Sequence, residues 1–333
     1  MNNIDHNNIQ EWLNRVEKYL GTESEDLATF PVLAKFIENL SSRFPKEILS
    51  RLDETSALDA SAANIFIGVL SSPFKNELIQ RFNQWIDESK YLFQLSVAFM
   101  SFDNLSYNLI DKLIDKSIAV EDTYSLNSSL RLLNEGQNSV TVEAINSLIE
   151  KTFTFLNKKR DTTWIHYVWF SEKDQHFIKV LSKANMKLLV GNLVYVKTVD
   201  HRIEIILEAV AKNNVIHILD FLEQRIEYKK NKDNNPQDRY EDIPYSLGPT
   251  RKILAEKPKE IIDLIKNKYN HRDGICQYGV ASLFRKCFFP LESKLIDLIL
   301  KHLNPSTDRE LNIILAIASN YEGHQSILPL VRR

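Results

Sequence analysis

The stretch HRIEIILEAVAKNNVIHILDFLE, residues 201–223, decides the fold class. Its first half contains Ile205-Ile206-Leu207-Glu208-Ala209 and its second half contains Ile218-Leu219-Asp220, with a short polar turn between them. Apolar residues three and four positions apart lie on one face of an α-helix. The stretch therefore predicts two amphipathic helices joined by a tight connection.

The second-helix pattern, two aliphatic residues followed by a polar one, recurs along the chain. Further copies are Leu78-Ile79-Gln80, Leu109-Ile110-Asp111, Ala144-Ile145-Asn146, Ile261-Ile262-Asp263 and Leu295-Ile296-Asp297, with poorer ones at Phe177-Ile178-Lys179 and Ile327-Leu328-Pro329. Successive copies are 31, 35, 33, 41, 43, 34 and 32 residues apart, which is one helix pair per step. Because an isolated helix pair cannot bury its apolar face, each pair must stack on the next.

Matching first helices precede several copies, at Lys252-Ile253-Leu254-Ala255, Ser282-Leu283-Phe284 and Ile313-Ile314-Leu315-Ala316. With these the chain resembles HEAT-like repeat proteins, most clearly over residues 186–333, although it carries no signature residue of that family. The resemblance implies an all-α fold, a right-handed α-solenoid of about eight helix pairs. Two compact helical domains are the alternative.

Composition excludes several classes of protein. Of 333 residues, 44% are hydrophobic and 26% charged, as in folded soluble proteins, and eight glycines and ten prolines are too few for many short strands. No stretch approaches the ~18 apolar residues of a membrane span. Cys276 and Cys287 have no metal-ligand spacing and are interpreted as reduced thiols. We expect a cytoplasmic protein without metal or cofactor.

The net charge of −2 is unevenly distributed. Residues 1–160 contain 16 Lys and Arg against 22 Asp and Glu, and the remaining residues contain 26 against 22. We therefore divide the chain into an acidic helical-repeat half, residues 1–158, and a basic HEAT-like half, residues 159–333. Residues 229–249, dense in charge, Asn and Pro, are predicted to form an exposed loop.

Two segments have the composition of strands. Residues 162–170 (TTWIHYVWF) and 188–199 (LLVGNLVYVKTV) are rich in β-branched and aromatic residues. We nevertheless predict helices for both, because apolar residues on both faces also suit a helix buried between neighbours. The aromatic residues of the first segment could stack on bases, but we interpret them as packing core.

One pair of residues suggests catalysis. The chain contains no Walker loop, GxGxxG, HExxH, GxSxG or EF-hand loop. Arg160 with His166, in RDTTWIH, resembles the ribonuclease motif of helical HEPN domains, which implies a pair that contacts and activates RNA. A chain of this composition contains about one such Arg–His spacing by chance.

The second half contains a candidate binding surface. Residues 248–304 include 11 basic and 6 acidic side chains. The candidate binding residues are Lys252, Lys259, Lys266, Lys268, Arg285 and Lys286. Such residues on one face would indicate an anionic partner.

Three hypotheses for function follow. The first is a non-catalytic scaffold that binds another protein, as a sensor or regulatory module of a larger bacterial system; helical regions of bacterial defence proteins look similar. The second is a nucleic-acid-binding solenoid resembling HEAT-like DNA glycosylases, which the near-zero net charge makes less favoured. The third is the HEPN-like ribonuclease.

The end of the sequence carries an expectation about assembly. The last copy stops within its second helix, so Leu328, Leu330 and Val331 have no following repeat to pack against. We expect that the natural chain continues, or that a partner or another copy of the chain covers this end in a homo-oligomer.

Overall fold

The computed structural model describes residues 4–22, 30–102, 105–134, 140–168, 176–230, 240–269 and 274–331. Within these ranges no strand occurs and the regular elements are helices, which confirms the all-α prediction. The chain divides into two compact units. The first comprises Met1–Thr152 and His166–Val168, and the second comprises Phe153–Ile165 and Trp169–Arg333.

The described part of the first unit contains eight complete α-helices and the beginning of a ninth. They are α1 (Ile9–Leu20), α2 (Phe30–Arg43), α3 (Pro45–Glu54), α4 (Ala62–Leu70), α5 (Lys75–Asp87), α6 (Leu92–Ala98), α7 (Tyr107–Ala119), α8 (Thr123–Asn134) and α9 (Val142–Lys159). Local signals set several starts. Pro45 occupies the first turn of α3, where no amide hydrogen is needed, and the Ser106 hydroxyl accepts a hydrogen bond from the Leu109 amide of α7.

Alternate helices of the first unit pack on one another. Each of α2, α4, α6 and α8 contacts the next in that series, while α1 contacts α3 and α5 contacts α7. Gly68 of α4 allows a close approach to α2, since a Cβ there would lie 2.2 Å from the Glu38 carbonyl oxygen. Phe66, Phe82 and Phe99 are fully buried and meet edge to face.

Ion pairs join the odd-numbered helices of the first unit in order. Each cation contacts an acid on the preceding odd helix: Arg51–Glu17, Arg81–Asp53, Lys112–Asp87 and Lys151–Asp111, with N–O distances of 2.5, 2.7, 2.7 and 2.6 Å. Lys151 also contacts Asp115; burial lowers the pKa of its ammonium, but hydrogen bonds to the two carboxylates raise that pKa on balance. We call this series the ion-pair ladder.

The described part of the second unit contains the end of α9 and the helices from α10 onward; α10 begins in this unit and ends in the first. They are α10 (Trp164–Tyr167), α11 (His176–Val180), α12 (Lys183–Leu193), α13 (His201–Asn213), α14 (Ile216–Lys230), α15 (Thr250–Leu254), α16 (Pro258–Lys268), α17 (Gly274–Cys287), α18 (Ser293–His302), α19 (Asp308–Ser319) and α20 (Leu328–Val331). Short 3₁₀ helices cover Ser56–Ser61 and Phe99–Ser101 in the first unit and Gln325–Ile327 in the second. The helices α13 and α14 are those predicted by residues 201–223.

Alternate helices also pack on one another in the second unit. One series runs from α11 through α13, α15 and α17 to α19, and the other from α12 through α14, α16 and α18 to α20. Among the helices described in both units, none is long and apolar enough to cross a membrane.

The two segments with strand-like composition form shorter helices than predicted. Of residues 162–170, only Trp164–Tyr167 are helical, and residues 169 and 170 lie outside the described part. Trp164 is fully buried and its indole donates a hydrogen bond to the Asn192 side chain at 2.6 Å, which agrees with a packing role. Of residues 188–199, α12 ends at Leu193, and the Val196 carbonyl that follows accepts a hydrogen bond from Arg225 at 2.7 Å.

The segment predicted as an exposed loop, residues 229–249, is buried over much of its described part. α14 continues to Lys230, and residues 231–239 lie outside the described residues. Tyr240, Ile243 and Leu247 are each at least nine-tenths buried. These three residues are therefore not exposed, since their apolar side chains pack into the second unit despite the charged sequence before them.

Candidate functional site

The second unit contains a hollow of about 760 Å³ bordered by α15, α17 and residues 245–248. The side chains that characterise it are Arg251, Lys252, Arg285, Lys286, Tyr245 and Phe289, which we call the basic pocket. Of the described residues that line the hollow, none is acidic. Its lining therefore favours an anionic ligand.

The cations of the basic pocket are not neutralised by described neighbours. None of the four takes part in an ion pair within the described ranges, and Arg251, Lys252 and Arg285 are exposed. The Lys286 ammonium donates a hydrogen bond to the Pro244 carbonyl at 2.6 Å. Burial lowers the pKa of Lys286, and the carboxylates of Glu241 and Asp242 act in the opposite direction.

The two aromatic rings are exposed. Tyr245 is 86% exposed and Phe289 is 50% exposed. The Arg285 guanidinium carbon lies 5.4 Å from the Phe289 ring centroid, and the Lys286 nitrogen lies 5.9 Å from the Tyr245 centroid. Each ring therefore has a cation beside it, within the range of a cation–π contact.

The backbone of residues 245–248, which we call the lip, requires glycine at Gly248. This residue has φ +47°, and a Cβ there would lie 2.9 Å from the Glu204 carboxylate. Glycine adopts that left-handed conformation at the lowest steric cost. Glu204 thus borders the lip from α13, outside the hollow itself.

Arg225 of α14 holds the segment that leads into the lip. Its guanidinium is fully buried, pairs with no described carboxylate, and lies 4.4 Å from the Tyr240 ring centroid. It donates hydrogen bonds to the carbonyls of Val196 at 2.7 Å, Lys197 at 3.2 Å and Glu241 at 2.9 Å. Burial lowers the pKa of Arg225, and the charges of Tyr240, Glu241 and Asp242 act in the opposite direction.

The structure brings together three of the six predicted binding residues. Lys252, Arg285 and Lys286 line the basic pocket, and sequence reasoning missed Arg251, Tyr245 and Phe289. Arg251 could have been found from its position beside Lys252. Tyr245 lies in the segment predicted as an exposed loop, and nothing in the local sequence places that segment beside α15 and α17.

The other three predicted binding residues lie outside the basic pocket. Lys266 pairs with Glu310 at 2.8 Å, and Lys268 pairs with Glu223 at 2.5 Å and with Glu227 at 3.2 Å. Both ammonium groups are therefore already neutralised. Lys259 is exposed on α16, away from the residues that line the hollow.

The two predicted catalytic residues belong to different units, Arg160 to the second and His166 to the first. Arg160 follows α9 with φ +55°, and its guanidinium carbon lies 5.7 and 5.8 Å from the ring centroids of Tyr195 and Tyr228. His166 is an exposed residue of α10. A joint role for the pair stays a prediction.

Cys287 directly follows Lys286 of the basic pocket in the chain. Cys287 is a free, buried cysteine, and burial raises its pKa to about 12 despite the opposing charge of Arg251. A thiol with that pKa is protonated at neutral pH and is a poor nucleophile. The described residues contain no group of three or more His, Cys, Asp or Glu that could hold a metal ion.

Comparison with known proteins found no matching family model, no matching curated protein and no matching solved structure. Geometry and charge are therefore what bear on function in this chain.

Proposed function

We propose that the chain is a binding module, built from HEAT-like stacked helix pairs, that holds an anionic macromolecule at the basic pocket of its second unit. The observation that carries this proposal is the set of four cations without described ion-pair partners around one hollow. By contrast, Lys266 and Lys268 of the same unit, which the sequence also predicted to bind, have carboxylate partners. The contrast supports a surface that is kept open for an external anion.

The alternating helix contacts support the stacked-pair arrangement within each unit. In a solenoid, the first helix of one pair contacts the first helix of the next, and the second contacts the second. The two series of the second unit, from α11 to α19 and from α12 to α20, have this relation. The ion-pair ladder gives the same relation in the first unit, because each of its ion pairs links an odd-numbered helix to the odd-numbered helix before it.

Retention on immobilised heparin, a sulfated polyanion, tests the proposed function. The full chain is expected to be retained, and the double variant Arg251→Ala/Arg285→Ala to elute at clearly lower salt. The matched control is Lys259→Ala/Lys301→Ala, which removes the same charge from exposed cations outside the hollow. Exposed charge alone contributes a screened, nonspecific term that both double variants lose equally.

The control separates the pocket from general charge. If both double variants elute at the same salt, or if the wild-type chain is not retained at all, the basic pocket is not an anion-binding site. Circular dichroism melting of each variant checks that the helices remain folded.

A further inference from the structure

We propose that the ligand of the basic pocket is a single-stranded nucleic acid, with bases stacked on Tyr245 and Phe289 and phosphates bound by the adjacent cations. The inference rests on the proposed function, because it names the anionic partner of the same site. Tyr245 and Phe289 carry the argument, since cations alone would serve any polyanion equally.

Each ring of the basic pocket lies beside a cation. Arg285 lies beside Phe289, and its neighbour Lys286 lies beside Tyr245. Each nucleotide places a flat base next to a charged phosphate, so two ring–cation pairs match two successive nucleotides. An acidic protein segment offers carboxylates but no regular series of aromatic faces, and it would leave the exposed ring of Tyr245 unused.

The position of Tyr245 favours a single strand over a duplex. Its ring is 86% exposed at the lip and has one described cation, Lys286, against it. In a duplex the base faces are stacked on one another and only their edges face the grooves. A ring that projects from the lip can therefore stack on the bases of a single strand but not on those of an intact duplex.

The openness of the site favours a strand over a free nucleotide. Sites for small ligands typically bury about 70–90% of the ligand surface. Here Tyr245, Arg251 and Lys252 all remain exposed, so a bound nucleotide would stay largely in solvent on the lip side. A longer strand gains binding free energy from such a surface, because the strand extends beyond the hollow in both directions.

Fluorescence anisotropy with four labelled probes tests the inference on the full chain. The probes are a 12-nucleotide single-stranded DNA, its RNA counterpart, the corresponding duplex and a 12-residue oligo-aspartate peptide, with ATP as an unlabelled competitor. We expect one or both single strands to bind more tightly than the duplex and the peptide. ATP is expected not to compete at concentrations where unlabelled single strand does.

Two kinds of variant identify the contacts. Tyr245→Ala is expected to weaken single-strand binding roughly 5- to 150-fold, the range for loss of one stacked base, and Tyr245→Phe to retain it. Tyr19→Ala removes a tyrosine that is 68% exposed on α1 and is the control. Arg251→Ala/Arg285→Ala is expected to reduce the slope of log affinity against log salt by about 1.4, for two phosphate contacts.

Several results would overturn the inference while leaving the proposed function intact. Oligo-aspartate or duplex binding as tight as that of the single strands would identify a different polyanion, and effective competition by ATP would identify a nucleotide site. Unchanged single-strand affinity in Tyr245→Ala would remove the stacking contact. Failure of every probe together with equal heparin elution of the two double variants would reject both proposals.

Discussion

Arg225 places a guanidinium with no described carboxylate partner in the interior of the second unit. Its donors satisfy carbonyls at the end of α12 and at Glu241, just before the lip. Sequence alone gave no reason to single this residue out, since an arginine near the end of an amphipathic helix is usually exposed. Its role depends on a chain segment 16 residues later, Tyr240 to Asp242, that folds back over it.

Replacing Arg225 tests whether these carbonyls depend on it. We expect Arg225→Lys to lower the free energy of unfolding by roughly 3 kcal/mol, because an ammonium cannot reach carbonyls on two segments and leaves some of them buried without donors. Urea unfolding followed by circular dichroism measures the change. The exposed Arg251→Lys is the control and is expected to change the value by less than about 0.5 kcal/mol.

Equal stability of the Arg225→Lys and Arg251→Lys variants would show that the buried guanidinium is not what holds this segment.

The binding residues show how far residue-level prediction reaches. The excess of basic residues in 248–304 led to Lys252, Arg285 and Lys286, which line the basic pocket, and their role in binding stays a prediction. The excess of basic residues could not separate these three from Lys266 and Lys268. The carboxylate partner of Lys266 lies on α19 and that of Lys268 on α14, each more than 40 residues away in sequence. Helix packing decides which lysines are neutralised, and the charges of neighbouring residues in the sequence do not predict it.

At the scale of helices, the close contact between α2 and α4 depends on one missing side chain. Gly68→Ala would place a methyl group 2.2 Å from the Glu38 carbonyl oxygen and 2.7 Å from the Ser41 Cβ. Neither neighbour is the flexible end of a side chain, so the helices must separate. We expect a loss of about 1–3 kcal/mol in the free energy of unfolding, measured by urea denaturation.

Gly191→Ala is the matched control for that substitution. Gly191 is also helical, in α12, but the nearest atom to its Cβ position is the Gln224 side-chain oxygen at 3.8 Å. This variant is expected to be as stable as wild type or more stable by up to about 1 kcal/mol, because alanine is the better helix former. Equal effects of the two substitutions would contradict the close approach at Gly68.

Helix existence was more predictable than helix length. Periodicity placed α13 and α14 correctly, because amphipathic spacing is local information. For residues 188–199 the prediction ran beyond Leu193, where the carbonyls of Val196 and Lys197 bind Arg225 rather than continuing the helix. A contact with a distant side chain leaves no signal in the segment itself.

At the scale of the whole chain, alternate helices pack on one another in both units, and ion pairs join helices in both. In the first unit the cations of the ion-pair ladder pair with carboxylates on neighbouring odd-numbered helices. In the second unit the cations of the basic pocket face an open hollow. The repeat spacing predicted stacked pairs, but only the folded arrangement distinguishes structural cations from those available to a partner.

Hydrogen–deuterium exchange of the full chain, with and without a saturating heparin hexasaccharide, tests the central claim most directly. The claim is that an anionic ligand binds at the basic pocket, so we expect slower amide exchange over residues 245–252 and 282–289, with α1 to α8 unchanged. Protection confined to the first unit, or no change at either pocket segment under saturation, would contradict it.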